Sequence, residues 1–99
     1  MIPDPHLALR ERVIRGVLES PGHADPALRA AAFARGAVPD ALATLVDRIH
    51  AHAYRVTDAD VGRGQSTRGD DAMFAVIVSA ALGAASARLA AGRRALAEA

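Results

Sequence analysis

Cysteine, lysine and tryptophan are all absent from the 99-residue chain. Without cysteine the protein has no disulfide, no thiolate nucleophile, no iron–sulfur cluster and no cysteine-bound zinc. Without lysine it has neither Schiff-base chemistry nor the lysine of a phosphate-binding loop. These absences exclude thiol-dependent and Schiff-base-forming enzyme classes, and they leave the redox compartment open because there is no thiol to report on it.

A strong charge of either sign is also missing. Twelve arginines against 11 acidic residues give a formal net charge of +1, with no basic stripe of the kind that binds nucleic acid. The segment 1–5 lacks the basic start and apolar run of a signal peptide. The longest uncharged stretch, residues 72–87, is shorter than the roughly 20 residues that a membrane span needs. We therefore expect a cytoplasmic protein that binds neither nucleic acid nor membranes.

Alanine supplies much of the 52% apolar content, and the aromatic residues are only Phe33, Phe74 and Tyr54. Alanine buries little area per residue, so a core of this composition favours close contacts between helices. A domain this small buries a limited share of its surface, and oligomerisation is a plausible source of further stability.

Proline and acidic residues mark the predicted helix starts. Asp4-Pro5, Asp25-Pro26 and Pro39-Asp40 each combine a cap or first-turn acid with a proline, which is typical of a helix N-terminus. Stops are predicted near residues 20–22, at Gly36 and near Arg55. One face of the third helix is apolar at three- and four-residue spacing: Leu42, Leu45, Val46, Ile49, Ala53 and Val56.

The second half of the chain predicts a short helix and a long one. Thr57 followed by Asp60 is close to a capping box and starts the short helix. Gly62, Gly64 and Gly69 are predicted to break it, with Gly62-Arg63-Gly64 as a flexible turn. Asp70-Asp71 caps the last helix, residues 72–97. No alternating pattern typical of strands competes with this all-α prediction.

The last helix carries two apolar stripes, which predicts burial on two sides. The first stripe consists of Met73, Val76, Ile77, Ala80, Ala84 and Ala91, and the second of Phe74, Val78, Leu82, Leu89 and Leu96. Between them lies a face of small residues that would let another helix approach closely: Ala75, Ser79, Gly83, Ser86 and Ala90.

Four segments in fixed order, residues 42–49, 52–61, 73–89 and 88–96, resemble the alkylhydroperoxidase D / carboxymuconolactone decarboxylase superfamily. The order of a helix, a short helix, a glycine-bearing turn and a long alanine-rich helix matches as well. The resemblance implies one all-helical domain over residues 1–99. Residues 1–38 would form an N-terminal helical extension, and residues 39–97 a core bundle with a long central C-terminal helix. It also implies a homo-oligomer.

The redox-active members of that family carry a Cys-x-x-Cys pair near the end of the helix that matches the third one here. Ala53 and Val56 fall at about those positions, and Asp60 falls near the family's relay histidine. The thiol peroxidase activity therefore does not carry over. The resemblance instead implies a pocket or interface near Ala53, Val56 and Tyr54.

His50 and His52 invite a metal hypothesis that helix geometry excludes. Side chains two residues apart on a helix point about 200° apart, so the two imidazoles cannot share one ion. We expect boundary histidines with ordinary hydrogen bonds, no metal site and no cofactor. His52 alone suits general acid/base catalysis, with Asp60 or Asp58 as its partner. The competing interpretation makes both acids helix-capping groups.

Asp47, His50 and Tyr54 lie about one turn apart and predict a small polar row, exposed or at a subunit contact. An exposed tyrosine suits an interface, and it equally suits an ordinary surface position.

Three functions remain open on the sequence. The first is an oligomeric structural or small-ligand-binding module that lacks the family's thiols, with a small apolar or carboxylic ligand. The alternative is a cofactor-free acid/base enzyme, a decarboxylase or isomerase of a small carboxylic acid, that uses His52 and Asp60. The third is a subunit that docks on a different protein through the small-residue face.

Overall fold

The computed structural model describes residues 5–19 and 25–98, and these residues form helices without any β-strand. In order they are α1 (Pro5–Glu19), α2 (Pro26–Ala34), α3 (Asp40–His52), a 3₁₀ turn (Ala53–Arg55) and α4 (Asp58–Glu98). The all-α prediction is confirmed. The predicted cap at Asp4 and the predicted stop at residues 20–22 lie outside the described residues.

Helix α2 begins as its sequence predicts and ends one residue early. The Asp25 carboxylate accepts a hydrogen bond from the Ala27 amide at 3.2 Å, and Pro26 takes the first helical position. At the other end Arg35, not Gly36, adopts the left-handed conformation, with φ 57°. The Gly36 amide then donates to the Ala31 carbonyl at 2.7 Å and closes the helix.

Helix α3 buries the apolar face that its spacing predicts, except at its end. Its buried residues are Leu42, Leu45, Val46 and Ile49. Ala53 is exposed, contrary to the prediction, because the chain tightens into the 3₁₀ turn at that residue and turns it off the apolar face. Val56 follows the turn and is half-buried against the core.

Helix α4 begins with the predicted capping box. The Asp60 amide donates to Thr57 Oγ1 at 3.2 Å, and the Thr57 amide donates to Asp60 Oδ2 at 3.0 Å. The predicted turn at Gly62-Arg63-Gly64 is wrong, because the helix runs through it. Only Gly69, with φ 82° and ψ 170°, interrupts α4. We call residues 58–68 the short arm and residues 70–98 the long arm.

Two glycines permit close packing rather than turns. A Cβ atom on Gly64 would lie 2.5 Å from Leu42 Cδ2 and from Met73 Sδ, so a larger residue would require the ends of these two side chains to shift. A Cβ atom on Gly83 would lie 1.9 Å from the carbonyl oxygen of Phe33. The predicted close approach at the small-residue face is therefore made at Gly83 by the chain's own α2.

The core lies where α2 and α3 pack against α4. Its buried residues are Ala32, Leu42, Leu45, Val46, Ile49, Ala72, Met73, Val76 and Ala80. The first predicted stripe of the last helix thus faces inward as far as Ala84, while Ala91 is exposed.

The second predicted stripe is covered only in part within the single chain, since Val78 and Leu82 are half-buried and its other three members are exposed. Phe74 is 70% exposed, Leu96 79% and Leu89 41%. Seen along the long arm, the solvent-facing side forms one line that we call the uncovered stripe: Phe74, Ala81, Ala85, Gly92 and Leu96. Burial on the second side is therefore confined to the middle of the long arm, where Leu82 and Ala85 line a groove beside Val13 and Ile14 of α1.

Helix α1 packs against α2 and α4. The buried side chain of Arg29 reaches from α2 and donates from Nη1 to the Val17 carbonyl at 2.8 Å, which fixes the end of α1. Leu9 and Val13 of α1 are more than half exposed, at 55% and 52%, and Val13 lines a groove between α1 and the long arm.

Candidate functional site

The predicted catalytic pair, His52 and Asp60, is not brought together. His52 is exposed at the end of α3, and its ring meets the Tyr54 ring edge-on with centroids 5.8 Å apart. Within residues 5–19 and 25–98, no carboxylate lies within ion-pair distance of His52. A general base at this position has no group to orient it.

Asp60 instead forms a clamp with Arg48, which sequence analysis missed. Asp60 is 3% exposed, and its Oδ2 accepts a hydrogen bond from Arg48 Nη1 at 2.7 Å. The same arginine nitrogen donates to the Arg55 carbonyl at 3.2 Å. The clamp joins α3, the 3₁₀ turn and the start of α4. No local signal in the sequence predicts this pair, because residues 48 and 60 lie on different helices.

The environment of Asp60 keeps its carboxylate charged. The hydrogen bond from the Thr57 amide lowers the pKa of Asp60 below its ordinary value of 3.8, and the Arg48 guanidinium lowers it further, while burial acts in the opposite direction. A proton donor near neutral pH needs a raised pKa, so this carboxylate suits a structural cap better than acid catalysis.

The other predicted site residues line none of the three described grooves. Ala53 is exposed, Tyr54 is 80% exposed and Val56 packs against the core. The Arg55 guanidinium lies 5.8 Å from the centre of the Tyr54 ring, a distance compatible with a cation–π contact. These residues form a surface rather than the lining of a cavity.

The predicted polar row of Asp47, His50 and Tyr54 is not formed. Asp47 pairs with Arg35 at 3.0 Å on an exposed surface. His50 is half-buried and donates from Nε2 to the Ala32 carbonyl at 2.7 Å, the ordinary hydrogen bond expected of a boundary histidine. Each of these two side chains thus links α3 to α2 or its cap.

The largest of three described grooves, about 630 Å³, lies between the end of α2, the end of α3 and the long arm. Its floor is apolar and its rim carries Arg35, His50 and Arg88. Arg88 Nη2 donates to the His50 carbonyl at 3.0 Å. A second groove of about 470 Å³ lies beside the start of α2 and includes Asp25 and Arg68, and a third of about 130 Å³ separates α1 from the long arm.

Sequence analysis did not single out Arg35 or Arg88 as binding residues. The signal that unites them is tertiary, since residues 35 and 88 meet only after α2 packs on the long arm.

Two further features of the described chain concern metal binding and the membrane. The described residues contain no group of three or more His, Asp or Glu side chains that could hold a metal ion. The helical segment Arg68–Glu98 is long and apolar enough to cross a membrane by length and composition, and 39% of its most apolar window is buried in the chain. A core helix of a soluble protein meets the same criterion, so this feature alone does not assign a location.

No protein-family model, curated protein or solved structure matches this chain. Its function therefore has to be argued from the geometry described above.

Proposed function

We propose that this chain is a non-redox relative of the alkylhydroperoxidase D-like proteins that acts as a cytoplasmic, oligomeric structural or small-ligand-binding module. The order of helices and the absence of cysteine support the proposal. The observation that carries it is the uncovered stripe, an apolar line along the longest helix whose end members, Phe74 and Leu96, are 70% and 79% exposed.

The composition of the uncovered stripe favours another helix as its cover. Its members are spaced alternately by seven and four residues, which keeps them on one side of a helix. Large side chains, Phe74 and Leu96, stand at the two ends, and Ala81 and Ala85 stand near the middle. Small central residues let two helix axes approach closely while the larger ends pack beside them.

A second copy of the chain fits this surface in an antiparallel orientation. Two long arms that cross near Ala85 place Phe74 of each copy beside Leu96 of the other. The same orientation brings the acidic start of one arm, Asp70-Asp71, toward the basic end of the other, Arg93-Arg94. The contact is two-fold symmetric, with the acidic start of each arm at the same end as the basic end of its partner.

The rival functions have weaker geometric support. An acid/base enzyme needs His52 beside a carboxylate in a cavity, and His52 is exposed while Asp60 is engaged by Arg48. Docking of a different protein through the small-residue face is opposed at Gly83, whose position is taken by the Phe33 carbonyl. Self-association through the uncovered stripe leaves the Arg48–Asp60 pair and the contact between Gly83 and the Phe33 carbonyl in place.

Sedimentation velocity of the full chain across the micromolar range tests the proposal. We expect an oligomer whose fraction falls on dilution, and Phe74→Ser should shift it to the monomer. Tyr54→Ser is the matched comparison, because Tyr54 is also a highly exposed aromatic side chain but lies off the long arm.

A wild-type chain that stays monomeric throughout this range would overturn the proposal. Dissociation by Tyr54→Ser with no effect of Phe74→Ser would move the contact to the end of α3. Expression followed by membrane fractionation tests whether the chain is a membrane protein instead. A chain found wholly in the membrane pellet would contradict a cytoplasmic module.

A further inference from the structure

We propose that the groove between α2 and the long arm binds a small amphiphilic monocarboxylate, with its carboxylate on Arg35 and Arg88 and its apolar part on the groove floor. The inference deepens the small-ligand-binding part of the proposed function and does not depend on self-association.

The size and floor of the groove suit a small apolar group. Its volume of about 630 Å³ falls within the range of small-molecule sites. Phe33, Ala84 and Ala87 contribute to a mainly apolar floor, and Gly83 keeps that floor close to the backbone of α2. Alanines leave room above them that a longer side chain would fill.

The rim of the groove carries hydrogen-bond donors on Arg35 and Arg88. Each guanidinium carries five N–H donors. Within the described chain, Arg35 uses its Nε on Asp47 and Arg88 uses its Nη2 on the His50 carbonyl. Donors therefore remain on both arginines, and they flank one apolar groove. None of the residues that line it is acidic.

The charge balance favours a single negative charge on the ligand. Asp47 lies 3.0 Å from Arg35 and offsets much of its charge, whereas Arg88 contacts only a neutral carbonyl among the described residues. A monocarboxylate matches the excess of about one positive charge and accepts hydrogen bonds from two guanidinium groups. A multiply charged phosphate would be drawn less to an apolar floor.

Isothermal titration of the full chain with sodium octanoate, and separately with 1-octanol, tests the charge and the apolar requirement together. We expect saturable 1:1 binding of octanoate and at least about tenfold weaker binding of 1-octanol, since a charge-assisted hydrogen bond contributes more than a neutral one. Equal binding of the two probes, or no saturable binding of octanoate, would overturn the proposal.

Variants locate the site. Arg88→Gln and Arg35→Gln should each weaken octanoate binding by about tenfold. Asp47→Asn should tighten it, because it removes the carboxylate that competes for Arg35. Ala87→Leu should block binding by filling the groove. Arg63→Gln is the matched control, since it removes one exposed arginine of α4 outside the groove and should leave affinity unchanged.

The affinity of the Phe74→Ser variant for octanoate distinguishes ligand binding in the groove from self-association. Phe74→Ser chains should bind octanoate with wild-type affinity whether or not they form oligomers, because Phe74 does not line the groove. If Arg63→Gln weakens binding as much as Arg88→Gln does, the anion is held by general surface charge and the groove site is refuted. Circular dichroism spectra of each variant confirm that its helices are retained.

Discussion

The carboxylate of Asp60, together with its partner Arg48, connects α3, the 3₁₀ turn and the start of α4. It accepts hydrogen bonds from the Thr57 amide at the start of α4 and from Arg48 on α3. Arg48 in turn holds the carbonyl of Arg55. Because Asp60 is buried, removal of its charge leaves donors of two other residues without their acceptor, which costs more than the loss of an exposed ion pair.

The first prediction concerns the pH dependence of this clamp. The pKa of Asp60 is lowered below 3.8 in the folded chain, so the charged form stabilises the fold fully above pH 3.8 and progressively less as the pH falls through the lowered value. Asp60→Asn should therefore lower the urea midpoint at pH 7. The difference from wild type should shrink as the pH falls below 3.8.

Asp47→Asn provides the comparison for Asp60→Asn. It also removes an acid paired with an arginine, but the Asp47 side chain is 66% exposed. Exposed ion pairs contribute from zero to about 1 kcal/mol, so we expect a smaller change in the urea midpoint. Equal effects of the two variants at pH 7 would show that the Asp60 clamp contributes no more than a surface pair.

The second prediction concerns Gly83, where the long arm touches the backbone of α2. Gly83→Ala would place a methyl group 1.9 Å from the Phe33 carbonyl oxygen, and the two helices must separate to admit it. We expect a loss of about 2 kcal/mol in the free energy of unfolding, typical of overpacking. Gly16→Ala, with open space around its Cβ position, should gain about 0.5–1 kcal/mol through helix propensity. A stabilising Gly83→Ala in urea denaturation would contradict this contact.

For the individual helices, local sequence signals predicted the N-terminal residues correctly. Asp25-Pro26, Pro39-Asp40 and the Thr57 capping box each begin a helix where their chemistry predicts one. These signals succeed because a cap satisfies amides within one turn and needs no distant residue. The apolar periodicity of α3 likewise identified its buried side, since spacing alone determines which residues share a face.

Structural features that depend on tertiary contacts were not predicted from the sequence. Gly62 and Gly64 look like a turn in sequence but lie in a helix, because Gly64 packs against Leu42 and Met73. The Arg48–Asp60 pair joins residues on different helices, so their spacing along one helix gives no hint of the contact. The separation of His52 from Asp60 has the same cause, since the exposure of His52 and the contact of Asp60 with Arg48 have no local signature.

The third prediction concerns the break in α4. Gly69 has φ 82° and ψ 170°, a conformation that residues with a Cβ atom rarely adopt. Gly69→Ala should therefore cost about 1–3 kcal/mol of unfolding free energy or force the two arms of α4 to realign. Gly62→Ala lies within the helical short arm with open space around it and should be stabilising. Urea denaturation of the pair should give opposite signs, and a shared sign would refute a break confined to Gly69.

For the whole molecule, the main consequence of the fold is an elongated shape. The radius of gyration is 14.7 Å, against about 13 Å for a compact chain of this length, and the extents are 49 × 29 × 19 Å. Residues 89–98 of the long arm are all exposed. A helical end of this kind gains little from tertiary packing in a single chain, so a second copy that covers it would stabilise it.

The final prediction measures that stabilisation directly by amide hydrogen exchange. An isolated helical stretch shorter than about 12–15 residues is marginal in water, so residues 89–98 should exchange quickly in the monomer. An antiparallel partner that packs Phe74 against Leu96 should slow their exchange as the protein concentration rises, while exchange of the buried Val46 and Val76 amides changes less. Phe74→Ser should abolish the concentration dependence. Slow exchange of residues 89–98 in that monomeric variant would mean that the long arm is stable without a partner, and the argument for an oligomer would lose its energetic basis.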